Sequence, residues 1–314
     1  MNNPVFSSLL PVVLLVAVGF AAGRVGWIKA EATRDLSNLV FMVLTPSLLF
    51  RTMSTVHVEN LNFKPVAMYF VAAGLLFVSV FWMQGRSSRA AVLALAASFS
   101  NTVMIGIPLI GLAYGEAGMV TLFTLISVHS LILLTLSTMV LELVAAREAA
   151  LVKNSDAPAR HPLLTVLGAA RNGIIHPVPL PIILGLLFAQ TGLVIPAVVD
   201  RPLQLLGNAF GPLALVLVGV TLTQVRIGPY WRDSLWISAL KNLALPLLMA
   251  GLGWLFGLQG LPLTVMVVTA SLPIGANVFL FAQRYDVAQD LVTASMAVST
   301  ALGLLTITMV MALA

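Results

Sequence analysis

The sequence predicts an all-α polytopic membrane protein of ten transmembrane helices, arranged as two inverted five-helix repeats. Three observations predict this fold class: the apolar composition, ten apolar stretches of membrane-spanning length, and two matching interruptions. Hydrophobic residues make up 60% of the 314 residues and charged residues only 9%, and the mean hydropathy is +1.04. Because soluble domains carry about 25% charged residues, most of this chain is expected to contact lipid or other apolar helices.

Ten apolar stretches can be marked, and a stretch of about 20 residues spans the roughly 30 Å hydrocarbon core of a bilayer. The second and sixth are short for a span. The ten predicted spans are Val5–Ala22, Leu36–Phe50, Val66–Met83, Ala90–Leu112, Met119–Leu141, Pro177–Ala189, Leu203–Leu222, Leu235–Phe256, Thr264–Ala282 and Leu291–Leu313.

Basic residues in the loops predict the orientation. With ten spans, the loops after the odd-numbered spans share one side of the membrane and hold 12 of the 16 Lys and Arg residues, whereas the opposite loops hold only Arg51, Lys64 and Arg201. The positive-inside rule places the first side in the cytoplasm, so both termini face outward across the inner (plasma) membrane. These loops explain the net charge of +5, which therefore indicates no nucleic-acid partner.

The two halves of the chain have the features of a repeat. Pro46 and Pro212 are predicted structural kinks, and they precede Pro108 and Pro273 by nearly the same distance, 108 − 46 = 62 and 273 − 212 = 61. Because five spans is an odd number, the second copy must be inverted. The predicted regions are a first repeat over 1–145, a cytoplasmic linker over 146–175 and a second repeat over 176–314.

Two segments interrupt apolar stretches where a spanning helix should be continuous: Ser100–Pro108 (SNTVMIGIP) and Ser271–Asn277 (SLPIGAN). Proline removes an N–H and clashes with the preceding turn, and glycine tolerates an unwound backbone. Lipid cannot satisfy the freed backbone groups, so they must face protein or a water-filled cavity. One such break would be read as an ordinary proline kink, but a matched pair indicates the binding site of a secondary transporter.

The chemistry of such a site favours an anion. A half-helix that begins at a break carries roughly +0.5 elementary charge and free N–H groups at its N-terminus, which attract a carboxylate. Two such ends at the membrane midplane suit a small organic anion.

The same residues carry a resemblance to the auxin efflux carrier family, which includes plant exporters and bacterial carriers of malonate and other organic acids. The plant members' very long cytoplasmic loop is absent, so the chain resembles the bacterial type. The resemblance covers nearly the whole chain and is carried by Leu44–Phe50 in the second span, Ser100–Leu109 with Tyr114-Gly115-Glu116 in the fourth, and Ser271-Leu272-Pro273 with Phe279–Tyr285 in the ninth.

The resemblance implies a fold and a mechanism. It implies crossed, broken helices four and nine, a transport domain of helices 3–5 and 8–10, and a dimerising scaffold of helices 1, 2, 6 and 7. The transport domain would move against the scaffold as an elevator. It also matches Asn101 to an asparagine that contacts substrate in the plant exporters, and His129 to a site-lining glutamine.

The predicted substrate-binding residues are those of the two breaks and two polar residues of neighbouring spans. The amide of Asn101 can donate to a carboxylate, or it can bond a neighbouring helix. Asn277 offers the same alternatives in the second break. The full set is Asn101, Thr102, Gly106, Pro108, His129, Lys241, Pro273, Gly275 and Asn277.

His129 and Lys241 each allow more than one role. His129 could donate to an acid or titrate near neutral pH, or it could be a neutral packing residue. Lys241 could neutralise the anion, support the second break by bonding its carbonyls, or extend to the cytoplasmic surface.

The residues and motifs that the sequence lacks exclude several classes of function. The sequence has no acidic residue near either break, no zinc-binding motif, no glycine-rich nucleotide loop and no cysteine, so it predicts no metal, no cofactor and no enzymatic activity. The predicted function is transport of a small organic anion by a homodimer in the lipid bilayer. The alternative is a membrane sensor or channel that uses the same cavity.

Overall fold

The computed structural model describes residues 4–56, 61–151, 178–225 and 228–313, and within them every regular element longer than an isolated bridge is helical. Most of the predicted linker, 146–175, lies outside the described residues. The α-helices are α1 (Pro4–Val25), α2 (Ala30–Leu39), α3 (Thr45–Met53), α4 (Phe63–Met83), α5 (Ser88–Ser98), α6 (Ile107–Leu151), α7 (Pro179–Gln190), α8 (Ala197–Leu222), α9 (Trp231–Ala239), α10 (Leu245–Leu255), α11 (Gly260–Ser271), α12 (Asn277–Arg284) and α13 (Gln289–Leu313).

Six helical segments in the described residues are long and apolar enough to cross a membrane, and four shorter apolar helices accompany them. Each of the ten predicted apolar stretches overlaps one or more of these helices. The predicted fourth and fifth stretches merge in α6, but Gly115 interrupts it with φ 60° and ψ −153°, which no helical residue adopts. Glycine tolerates this conformation because it has no Cβ.

In the described part of the chain, three π-helical segments replace ordinary helical turns, and a proline follows each one. The segments are Val40–Leu44, Thr102–Gly106 and Leu240–Ala244, and the prolines are Pro46, Pro108 and Pro246. A proline cannot donate to the fourth preceding carbonyl and clashes with it, and a wider turn removes that conflict. In the first segment Thr45 uses both its backbone N–H and its Oγ1, at 2.7 Å, to bond the carbonyl of Val40.

Close glycine contacts join α1 to α8, the helix on which it packs most extensively. A Cβ at Gly19 would lie 1.9 Å from the carbonyl oxygen of Val216, and one at Gly219 would lie 2.0 Å from that of Val16. Only glycine allows the two backbones to approach so closely, a common device between membrane helices.

Helix α5 lies at the centre of the bundle. Its side chains from Ala90 to Ser98 are all buried, and α4, α6, α9 and α12 contact it. Small alanines on every side allow these neighbours to pack closely around the helix. The end of this buried helix, at Ser98, fixes the position of the first break.

Candidate functional site: the crossing of two broken helices

The two breaks meet and pair with each other. After α5 and α11 end, the backbone N–H of Asn101 donates to the carbonyl of Pro273 at 2.8 Å, and that of Gly275 donates to the carbonyl of Phe99 at 3.0 Å. The bonds form a short antiparallel bridge between Ser100 and Ile274. Each break thus satisfies backbone groups of the other, as the absence of water in a bilayer core requires.

The glycines of the breaks are needed for this crossing. A Cβ at Gly106 would lie 2.9 Å from Cδ1 of Leu272, and one at Gly275 would lie 2.7 Å from Cδ1 of Phe99. Each glycine therefore packs against a side chain of the opposite break. Both were predicted as site residues, and the structure gives them a packing role, with Gly275 also facing the cavity described below.

The first break is held mainly by its own polar residues. Asn101 Oδ1 accepts from the backbone N–H of Met104 at 3.2 Å and caps the π-helical turn that leads into α6. Beside it, the hydroxyl of Tyr69 donates to Ser100 Oγ at 2.7 Å, and both side chains are fully buried. These neutral bonds fix the segment that enters the crossing.

The second break is held by the side chain of Lys241. Lys241 is fully buried, and its Nζ donates to the carbonyls of Ala270 and Leu272, each at 2.7 Å. The two carbonyls belong to the C-terminal end of α11, where the last carbonyls of a helix have no partner within the helix. Of the alternatives for Lys241, bonding of the break's carbonyls is the one that the structure contains, and Lys241 does not reach the surface.

Two further residues complete the support of the second break. Ser299 Oγ donates to Asn242 Oδ1 at 2.6 Å and accepts from the backbone N–H of Ile274 at 3.1 Å. Asn242 Nδ2 in turn donates to the carbonyl of Ser299 at 3.0 Å. The π-helical turn that contains Lys241 and Asn242 therefore directs both side chains at the break.

A small cavity of about 20 Å³ lies at the crossing. It has room for about one water molecule. The half-helix α12 begins here without a side-chain cap, and its first residue, Asn277, is among the lining residues. The cavity is lined by Phe41, Phe99, Ser100, Asn101, Thr102, Val103, Val178, Gly275, Ala276 and Asn277.

Four of the nine predicted site residues therefore line the cavity, and five do not. Asn101, Thr102, Gly275 and Asn277 face it. The other five support the crossing or lie behind it: Gly106 contacts Leu272, Pro108 lies against Gly211, Pro273 accepts from Asn101, Lys241 bonds the end of α11, and His129 lies behind Phe99.

Sequence reasoning missed the opposite wall of the cavity and most of the supporting residues. Phe41 and Val178 come from segments distant in sequence, and no local motif marks them. Tyr69, Asn242 and Ser299 are polar residues in apolar stretches, which is a usable signal, since such residues are costly in membranes.

The predicted kink Pro46 does mark a helical irregularity, because it follows the π-helical turn that carries Phe41. Pro212 lies within α8.

A second, larger cavity, of about 870 Å³, is lined by residues of α3, α6, α7 and α8. Arg51, in α3, forms a two-bond ion pair with Asp200 at the start of α8, with N–O distances of 2.7 and 3.1 Å. Glu116 and Met119, just beyond the interruption of α6, lie on the same cavity. Among the described residues no group of His, Asp and Glu has the arrangement of a metal site.

The chain is similar to known membrane proteins over nearly its whole length. The family of membrane transport proteins matches residues 4–311. A "Putative malonate transporter" of Rhizobium meliloti is 26% identical over 311 residues, covering 96% of this chain and 92% of its own length. An "Uncharacterized transporter" of Methanothermobacter thermautotrophicus is 23% identical, covering 96% and 95%. The "Uncharacterized transporter YfdV" of Escherichia coli K12 is 25% identical, covering 93% and 91%. The chain is therefore a multi-pass membrane protein that belongs to the membrane transport protein family, the family of the auxin efflux carriers that its two break motifs resemble.

Proposed function

We propose that the protein is a secondary transporter of a small organic anion and that the anion binds at the crossing. The observation that carries this proposal is the uncapped N-terminus of α12, which opens on a cavity lined by the amides of Asn101 and Asn277. The N–H groups of Val278 and Phe279 in its first turn bond the carbonyls of Gly275 and Ala276, so a carboxylate would be attracted by the helix dipole and by the two side-chain amides. The name of the Rhizobium meliloti relative supports an organic acid as the substrate class.

The hydrogen bonds around the crossing also favour an anion. Nζ of Lys241 donates to the carbonyls of Ala270 and Leu272. Discontinuous helices in transporters use unwound carbonyls to coordinate sodium, and here Lys241 already bonds two of those carbonyls. We therefore expect the anion to move without sodium.

The proposed architecture is a ten-helix protein built from two inverted repeats, 1–145 and 176–314, joined by a cytoplasmic linker. Helices 1, 2, 6 and 7 would form a dimerising scaffold, and helices 3–5 and 8–10 a transport domain. Phe41 and Val178, from spans two and six, face the crossing across the cavity. The cavity has room for only about one water molecule in this conformation, so the two domains must move apart or slide for a substrate to bind. An elevator-type movement would do this, with the larger cavity beside Glu116 as the outer vestibule.

The proposed orientation places both termini outside the plasma membrane. Among the described residues, three arginines lie over aromatic rings, and all three fall in regions that the charge pattern assigns to the cytoplasm: Arg24 over Phe20, Arg86 over Trp82 and Arg232 over Trp231. Aromatic residues and arginines of this kind are typical of the membrane interface. The pairs therefore support an interface at this end of the bundle.

The test is flux of radiolabelled malonate into proteoliposomes that contain the full chain, with no sodium or pH gradient. A carrier saturates and shows counterflow, whereas a channel or sensor does not. A potassium diffusion potential should drive malonate to the positive side, because each charge contributes about 2.3 kcal/mol per 100 mV. Accumulation that requires sodium or a proton gradient and ignores voltage would contradict uniport.

A pair of variants ties the flux to the crossing. Asn277→Asp places a negative charge on the cavity and should abolish malonate flux. Asn62→Asp is the control, because Asn62 caps α4 through its side chain and aspartate caps equally well. Equal malonate flux in the two variants would show that the anion does not bind at the crossing.

A further inference from the structure

The larger cavity, of about 870 Å³, has the size and the lining of a ligand site in its own right. Small-molecule pockets typically measure about 300–1,000 Å³ and combine apolar walls with a few polar groups. Here the apolar wall comes from α6, from α7 and from the segment between α7 and α8. Its larger members are Met119, Val120, Phe188, Leu193, Val194 and Ile195. Binding of an anion at the crossing assigns no ligand to this wall.

The charged residues of the lining give the cavity a net negative charge. Arg51 and Asp200 match each other in their two-bond ion pair. Glu116 is the third charged residue of the lining, and among the described residues its carboxylate has no ion pair. Its side chain is exposed, and an exposed carboxylate on a cavity with no cation beside it attracts a cationic ligand.

The hydroxyl groups of the lining also favour a ligand that donates hydrogen bonds. The hydroxyl of Ser54 donates to the carbonyl of Arg51 at 2.7 Å, and that of Thr55 donates to the carbonyl of Thr52 at 3.0 Å. Because each of these protons is already committed, the two hydroxyl oxygens offer the cavity only acceptor positions. Together with the carboxylate they suit an ammonium group, which has three donors and no acceptor.

The cavity lies between the two parts of the protein that are proposed to move. Glu116 and Met119 belong to α6, in the proposed transport domain, whereas Arg51, Phe188 and Asp200 belong to α3, α7 and α8, in the proposed scaffold. A ligand that contacts both walls would bind this arrangement better than one in which the walls have shifted. Such a ligand would stabilise this conformation by its difference in affinity.

We propose that this cavity is a second binding site, that its ligand is an ammonium ion with an apolar body, and that the bound ligand stops anion transport by holding the two proposed domains together. The ammonium would donate to Glu116 and to the oxygens of Ser54 and Thr55, and the apolar body would pack against Phe188 and Met119. The site itself is independent of the proposed function, whereas the block of transport rests on it.

Thermal unfolding of the full-length protein in detergent tests the site without any transported anion. The probe is phenethylammonium, and its neutral isostere phenethyl alcohol is the control for partition into detergent. The ammonium should raise the unfolding temperature more than the alcohol does, because a bound ligand stabilises the folded state. In Glu116→Gln the half-saturating concentration of the ammonium should rise about tenfold or more, since a hydrogen bond to a charged group is lost. Equal effects of ammonium and alcohol, or equal affinity in Glu116→Gln and the wild type, would overturn the site.

Two further variants separate the charge of the cavity from a general effect on the protein. Glu31→Gln removes a carboxylate from the first turn of α2, outside the cavity lining, and should bind phenethylammonium as the wild type does. Thr55→Lys keeps Glu116 but adds an ammonium to the lining, so it should weaken the binding of phenethylammonium by a factor similar to that of Glu116→Gln. Wild-type affinity in Thr55→Lys, or a matching loss in Glu31→Gln, would overturn the role of the cavity's charge.

Malonate flux in proteoliposomes tests the block of transport. Phenethylammonium should inhibit the flux of the wild type, and Glu116→Gln should need about tenfold more of it for the same inhibition. Binding without inhibition, in a wild type that moves malonate, would overturn the block and leave the site in place. If the wild type moves no malonate, the proposed function fails and the block fails with it, and the unfolding temperatures still decide whether the cavity binds an ammonium.

Discussion

The two breaks of the crossing are related in position but are held by different chemistry. The first is fixed by neutral groups, with Asn101 capping its own helix and Tyr69 bonding Ser100. The second is fixed from neighbouring helices, by Nζ of Lys241 and by the hydroxyl of Ser299. A repeated backbone geometry can therefore be supported by different groups on its two sides.

This difference determines which helix end is open to a ligand. The N–H of Met104 near the start of the first half-helix is satisfied by Asn101, whereas the N-terminus of α12 has no side-chain cap. The carbonyls at the end of α11 are bonded to Lys241. We infer that the first break mainly supports the crossing and that the second supplies the anion-binding end.

The largest expected effect comes from removing the lysine that holds the second break. Lys241→Met leaves the buried carbonyls of Ala270 and Leu272 without their donor, and we expect the free energy of unfolding to fall by about 2–5 kcal/mol. Thermal unfolding of the purified protein in detergent measures this loss. Lys64→Met is the control, because Lys64 lies at the exposed start of α4. If Lys241→Met unfolds at the wild-type temperature, Lys241 does not hold the second break.

The positions of both breaks could be predicted from the sequence because proline and glycine act locally. Pro108 and Pro273 cannot continue a regular helix, and Gly106 and Gly275 leave space for a crossing chain. The bridge between Ser100 and Ile274 could not be predicted, since it depends on two segments about 170 residues apart coming together.

Residues that surround the crossing were harder to predict than the breaks themselves. Phe99 is an ordinary apolar residue in an apolar stretch, and only its position between His129 and Gly275 gives it importance. Lys241 stood out as a buried charge, but the sequence left three roles open. The contact of its Nζ with two carbonyls distinguishes among them.

The two reciprocal glycines should differ in their tolerance of a methyl group. In Gly275→Ala the Cβ meets the ring of Phe99 at 2.7 Å and the carbonyl oxygen of Ser100 at 3.0 Å, so ring and backbone must both shift. We expect a loss of about 1–3 kcal/mol in the free energy of unfolding, as for other overpacked sites. The measurement is again thermal unfolding in detergent.

Gly106→Ala should cost less, because its Cβ meets only the flexible end of Leu272, at 2.9 Å, before any backbone atom. Gly251→Ala is the control, since a Cβ there has no atom within 4 Å. A larger loss for Gly106→Ala than for Gly275→Ala would show that the first break, not the second, is the tighter side of the crossing.

Alanine variants of the two asparagines should have the smallest effect on the free energy of unfolding, and they should differ most in malonate affinity. Asn101→Ala removes the cap on Met104 and should lower the free energy of unfolding by about 1 kcal/mol. Asn277 stands at the first position of α12, which no side chain caps, so Asn277→Ala should leave stability nearly unchanged and act mainly on malonate affinity. Thermal unfolding and half-saturating malonate concentration are measured on both variants. The expected result is a loss of stability in Asn101→Ala and a larger loss of affinity in Asn277→Ala, because the open helix end is the one that receives the anion. If instead Asn101→Ala loses the most affinity for malonate at unchanged stability, the anion binds at the first break, and the second break mainly supports the crossing.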